Sequence, residues 1–216
     1  MSAEKPRERP ILFNDQMVRA ILDGRKTVTR RVMKPQPVLD GHFWTYGGAG
    51  WSDRINSLTP VAGHSLAARC PYGQPGDRLW VREAWQGPLI SDEEQAANQS
   101  WWKDMTKFQN PGHCAYRASG DDNEYVDPDG YFHCKWKPSI HMPRWASRIL
   151  LEITAVRVER LHDLSDPGAL AEGVSHSEMH SGDSLVDVFA RLWKSIGGDW
   201  DANPWVWVVE FKRVTP

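Results

Sequence analysis

The stretch Gly24-Arg25-Lys26-Thr27-Val28-Thr29-Arg30-Arg31 decides how the chain reads, because it sets an amine, hydroxyls and guanidiniums directly behind a short amphipathic helix. In that helix Asn14 or Asp15 serves as N-cap, Met17/Ile21 and Val18/Leu22 fall four apart on one apolar face, and Gly24 is the left-handed stop. From residue 27 to 33 the period changes to two, with Thr27, Thr29 and Arg31 on one side and Val28, Arg30 and Val32 on the other. Lys26 and Thr29 then flank a helix-to-strand corner, where side chains converge on a cleft. The cations read either as the wall of an anion site or as a solvated strand entry.

Working outward, Pro75-Gly76-Asp77 is a turn that feeds an alternating strand from Arg78 to Trp85. Residues 86–112 are polar, with Ser91-Asp92-Glu93-Glu94 as a helix start, and Asp127-Pro128-Asp129-Gly130 turns a hairpin between Tyr125-Val126 and the run from Tyr131 to Trp136. A long alternating strand runs from Ile149 to Leu161. Asp166-Pro167 opens a short helix that stops at Gly173, and Leu185, Val188, Phe189, Leu192, Trp193 and Ile196 space a second helix over 183–196. A strand from Trp205 to Val214 closes the chain. This order predicts a mostly β domain with flanking helices (α+β), an antiparallel barrel with helices at its mouth.

Composition narrows the function classes. An apolar fraction of 40% with 12 Trp predicts a folded globule. A net charge of −2 excludes a generally basic nucleic-acid coat, so a phosphate-facing surface has to be a local patch. With no apolar run of bilayer length and no signal-peptide core, the reading is a cytoplasmic protein without membrane attachment, and no obligate protein partner is evident. His113-Cys114 and His133-Cys134 repeat a His-Cys step, with Cys70 as a third thiol. Strand alternation points adjacent side chains to opposite faces, so the expectation is buried cysteines and polar histidines, with no metal and no cofactor.

The opening stretch resembles the GxKTxTxR signature of the ASCH domain, a relative of the RNA-binding PUA domains. Around it, Arg9-Pro10-Ile11-Leu12-Phe13, Met17-Val18-Arg19-Ala20-Ile21-Leu22, Thr29-Arg30-Arg31-Val32 and Lys34-Pro35-Gln36-Pro37 look like the longer ASCH-type proteins of tailed phages and prophages. Three later blocks agree in order: Pro75-Gly76-Asp77-Arg78-Leu79-Trp80-Val81-Arg82-Glu83, Ala171-Glu172-Gly173, and the run from Asn203 to Phe211. The resemblance implies a PUA-like β-barrel over 9–216 with insertions at about 38–68 and 88–130, behind a flexible stretch at 1–8. It also implies kinship with bacterial amidohydrolases that deacetylate N4-acetylcytidine through a Lys, a Thr and a Glu. By motif position these fall on Lys26, Thr29 and Glu172.

The trio suits acyl transfer, with Thr29 as nucleophile, Lys26 as activator and Glu172 as proton relay. Arg25, Arg30 and Arg31 push the Lys26 pKa down and Glu172 pushes it up, which leaves Lys26 open as base or as oxyanion stabiliser. Arg25, Thr27, Arg30 and Arg31 are the expected substrate contacts. A second surface runs from Lys135 to Arg148, where Arg144, Trp145 and Arg148 mix charge with a stacking ring. Arg82 and Glu83, charges on a predicted central strand, have to face a cleft or each other. The partner is therefore a nucleoside or single-stranded RNA or DNA, hydrolysed or only bound. Ribonuclease activity, with His141 or Lys26 as base, is the remaining alternative.

Overall fold

The computed structural model describes residues 6–97, 100–126 and 129–215. Asp127 and Pro128 of the expected turn, and the first five residues of the stretch read as flexible, lie outside them. In chain order the elements are β1 (Glu8–Leu12), α1 (Asp15–Leu22), β2 (Val28–Val32), β3 (Val38–Asp40), β4 (Phe43–Tyr46), β5 (Ala49–Ser52), β6 (Ser57–Leu58), α2 (Ser65–Ala68) and β7 (Arg78–Arg82). There follow β8 (Trp85–Gln86), α3 (Asp92–Ala97), β9 (Ala115–Tyr116), β10 (Tyr125–Val126), β11 (Phe132–His133), β12 (Leu150–Arg160), α4 (Asp166–Ala171), α5 (Leu185–Ser195) and β13 (Trp205–Val214). The architecture is α+β.

The largest sheet has six strands in the order β1-β7-β12-β13-β2, with β6 added on β12. Among the described residues this path ends at β1 and β2 and does not close on itself. The chain divides into two compact units. One gathers the residues up to Arg9, Ala20–Arg78 and Leu151–Arg213, and the other Pro10–Arg19, Leu79–Leu150 and the residues from Val214. The stretch 38–68 falls in the first unit and builds the meander β3-β4-β5, while 88–130 falls in the second.

In the first unit the core lies against one face of β2 and β13. Val28, Val206 and Val208 pack with Leu161, Leu164, Ala169, Leu185, Val188, Phe189 and Trp193, so α4 and α5 bury their apolar stripes on the strand face that carries Val28. Helix α5 starts where its chemistry places it, since the Ser184 hydroxyl and the Asp187 carboxylate exchange capping bonds with each other's backbone. On the other face of β13, Trp205 meets Trp44 and Trp51 edge to face at 5.4 and 5.3 Å, and Trp207 meets Tyr46 at 6.0 Å. Along β12 the buried positions change parity, from Leu151 and Ile153 to Val156 and Val158.

The second unit has a smaller core of Trp85, Tyr116, Met142 and Ala146, on which Trp145 packs. The two arms of its predicted hairpin are paired, with Tyr125 opposite His133 and Val126 opposite Phe132. The cysteines correct an expectation. Cys70 is buried, whereas Cys114, which ends a short turn, is half-buried and Cys134, which follows the two-residue strand β11, is exposed. No helix among the described residues is long and apolar enough to cross a membrane.

The Pro75-Gly76-Asp77 turn does more than reverse the chain. The Asp77 carboxylate accepts from Arg7 N (3.0 Å), Arg9 Nη1 (2.9 Å) and Gln74 N (3.1 Å). Partial burial works against its ionisation, but these bonds outweigh it and hold the pKa below the ordinary 3.8. A carboxylate depressed on folding stabilises fully above its unfolded pKa and loses that contribution as pH falls through its folded one. Unfolding by urea, followed from about pH 6 to about pH 2, is therefore expected to show an acid loss of stability that is shallower in Asp77→Asn than in the parent chain.

Candidate functional site

The corner after α1 is set by backbone bonds. Arg25 N and Lys26 N both donate to Ala20 O (2.9 Å each), and Thr27 N donates to Ala171 O at 2.8 Å. The second contact brings the end of α4 against the start of β2. Gly173 makes this possible: its φ is +96°, and a Cβ there would lie 2.8 Å from the Ala20 Cβ and 3.0 Å from the Lys26 Cβ. The Ala171-Glu172-Gly173 triplet is thus a helix stop whose glycine admits the lysine stem.

Lys26 and Glu172 meet inside the first unit. The Lys26 ammonium donates to Glu172 Oε2 (2.5 Å), Glu172 O (2.9 Å) and Val28 O (2.7 Å), with the side chains 0% and 2% exposed. Glu172 Oε1 also accepts from Arg30 Nη1 at 3.3 Å. Arg30 continues to Glu159 Oε1 through Nη2 (2.6 Å) and Nε (2.8 Å), and Glu159 Oε2 faces Arg157 Nε at 3.0 Å. Arg157 ends the alternating series on Glu210. Each buried charge thereby has an opposite neighbour, which a medium of low dielectric requires.

Burial pushes the Lys26 ammonium below the ordinary lysine range. Glu172 opposes that shift, and Arg31 and Arg30 add to it. Arg25, expected to share in it, is turned away toward Gly173 O (2.8 Å) and Asp23 (3.0 Å).

Thr29 does not join the network. It is 2% exposed and pairs with Val209 across β13, and strand alternation puts it with Arg31 on the face opposite Val28 and Arg30. Thr27 is exposed and contributes backbone, its carbonyl accepting from Phe211 N at 2.9 Å. Arg30, expected as a substrate contact, is 5% exposed and lies between two carboxylates.

A cleft of about 570 Å³ lies along β2, at the end of the sheet path, with Arg30, Arg31 and Val32 in its wall. Arg31 and Trp207 are paired across the strands, and the lining adds Lys34, Tyr46, Arg69, Tyr72, Trp193 and residues 196–198. Its charged residues are all cations, and Lys26, Thr29 and Glu172 are not among its walls. Sequence reasoning missed Tyr46, Arg69 and Tyr72. They lie in the stretch 38–72, where no periodicity marks them out. The basic neighbours of Arg31 were the only local signal.

The second surface is also rearranged by pairing. Arg148 donates through Nε and Nη2 to the two oxygens of Glu83 (2.9 Å each) and through Nη1 to Ser119 Oγ (2.7 Å), and stacks 3.9 Å from the Tyr116 ring centre. Burial raises the Glu83 pKa while Arg148 lowers it. Arg82 donates to the carbonyls of Met142 (3.1 Å) and Ile140, so Arg82 and Glu83 face other partners and not each other. Trp145 meets Trp85 edge to face at 5.5 Å, while Arg144 is exposed. The 135–148 loop thus spends much of its expected binding chemistry on holding itself. His113 Nε2, part of the repeated His-Cys step, lies 2.8 Å from Glu94 Oε1.

Removing one member of a buried ion pair strands the other. Glu172→Ala is expected to lower unfolding stability by about 3–5 kcal/mol in urea titration, and the double replacement Lys26→Met with Glu172→Leu to recover most of that loss. A single variant as stable as the parent would show that the pair is not buried in solution.

Comparison of the chain with protein-family models, curated proteins and solved structures finds no match.

Proposed function

We propose that this chain is a nucleobase-binding module of the ASCH type, built on a PUA-like sheet and acting in the bacterial cytoplasm. It takes a nucleoside or a stretch of single-stranded RNA or DNA in the cleft beside β2. One observation carries the reading: Arg31, Lys34 and Arg69 line this cleft together with the half-buried rings of Tyr46 and Tyr72, and no carboxylate joins them. Cations for the backbone and ring surfaces for the base are what a sequence-tolerant single-strand site requires.

The non-catalytic form of the reading fits the geometry best. The three donors of the Lys26 ammonium have acceptors, its side chain is sealed from solvent, and Thr29 lies on the other face of the strand from Arg30. Acyl transfer would require Lys26 to leave that pocket. Hydrolysis of an N-acylated cytidine is the second reading, favoured by one feature: burial moves the Lys26 pKa in the direction that a general base needs.

The test uses the whole chain. Anisotropy with single-stranded RNA and DNA oligomers is expected to give an affinity that falls as salt rises, and Arg31→Ala is expected to reduce the log–log salt slope by about one. Acid release from N4-acetylcytidine is expected to be absent. Turnover that survives in Thr29→Ser and collapses in Thr29→Val would replace the binding reading with the hydrolase.

A further inference from the structure

The cleft carries more positive charge than a neutral ligand can use. Arg30 lines it but is neutralised by Glu159 and Glu172. Arg69 and Lys34 differ: among the described residues neither side chain makes a hydrogen bond or an ion pair with the protein. Elsewhere in the same unit Arg9, Arg157, Lys194 and Lys212 each face a carboxylate within 3.2 Å. Cations gathered around a concavity without a counter-charge repel one another, and an anion seated there removes the repulsion.

Arg69 is also aimed. Gly47 lies in the turn between β4 and β5 at φ +56°, and a Cβ there would come within 2.9 Å of both Arg69 Cγ and Arg69 Nε. The stem of this exposed arginine therefore lies across the turn, in space that glycine leaves open. Tyr72 adds a phenol whose hydroxyl has no hydrogen-bond partner among the described residues. Burial raises its pKa, so it stays a donor. Tyr46, which packs on Trp207, supplies an aromatic wall. The volume of about 570 Å³ lies within the usual range for sites that enclose a small organic ligand.

We infer that the ligand of this cleft is a phosphorylated nucleoside unit, either a free mononucleotide or the phosphorylated end of a strand. Arg69 and Lys34 hold its phosphate, and its base lies against Tyr46 and Tyr72. The inference rests on the nucleobase-binding reading above and narrows it: a neutral nucleoside leaves the two cations unanswered.

Calorimetry on the full chain compares the four ribonucleosides, their 5′-monophosphates, inorganic phosphate, and one pentanucleotide with and without a 5′-phosphate. Charge-assisted bonds of this kind predict that the favoured monophosphate binds about 30-fold tighter than its nucleoside. In Arg69→Gln that ratio is expected to fall toward one, with the thermal midpoint of the variant confirming that it folds. A stronger gain from the 5′-phosphate on the pentanucleotide than on the mononucleotide supports the inference with a strand end as the source, and the reverse supports it with a free nucleotide. Equal affinity for nucleoside and monophosphate overturns the phosphate anchor and leaves the nucleobase reading standing. Inorganic phosphate binding as tightly as the nucleotide overturns the base contact. Binding of none of these ligands, oligonucleotides included, overturns the nucleobase reading itself.

Discussion

The buried series Lys26, Glu172, Arg30 and Glu159 is the constraint on which the first unit depends. Four ionised side chains at 7% exposure or less are costly to remove from water, and the cost is met only if each finds its opposite at short range. Three elements are pinned as a result: β2, the end of α4 and the end of β12. A shift of β2 by one residue would carry Arg30 to the other face and out from between Glu159 and Glu172.

Strand alternation turns this constraint into a site. Because Arg30 must face Glu159 and Glu172, Arg31 faces the other side of the strand, paired with Trp207, and both arginines border the cleft. Adjacent guanidiniums of one short strand thus do different work. Arg30 is neutralised in a charge network, while Arg31 joins a cleft lining whose other cations, Lys34 and Arg69, follow β2 and α2. The resemblance to an amidohydrolase drew attention to Lys26, Thr29 and Glu172. In the folded chain two of these are joined by an ion pair, while the third shares a face with Arg31.

The second unit applies the same physics to a different residue set. Glu83 sits 1% exposed on the chain after β7, and Arg148 answers it with a two-pronged bond while lying on the Tyr116 ring. Read locally, 135–148 is a basic and aromatic loop that looks made for nucleic acid. Its arginine and tryptophan are instead drawn inward, Arg148 by a carboxylate 65 positions earlier and Trp145 by an aromatic core.

What the sequence determined by itself is whatever depends on neighbours along the chain. The amphipathic spacing and Ser-Asp cap of α5, the stop at Gly173, the β-branched and aromatic run of β13 and the pairing of Tyr125-Val126 with Phe132-His133 all follow from contacts within a few residues, so periodicity and turn chemistry reveal them. The convergence of Lys26 with Glu172 was legible only through family likeness, since 146 positions separate them. Glu159, Tyr46, Arg69 and Tyr72 were decided by tertiary structure alone. A charge is indifferent, in sequence, to which opposite charge it will meet, and a ring does not signal which cleft it will line. The reason is physical: desolvation acts on groups that folding brings together, and nothing in local spacing encodes a neighbour more than a hundred residues away.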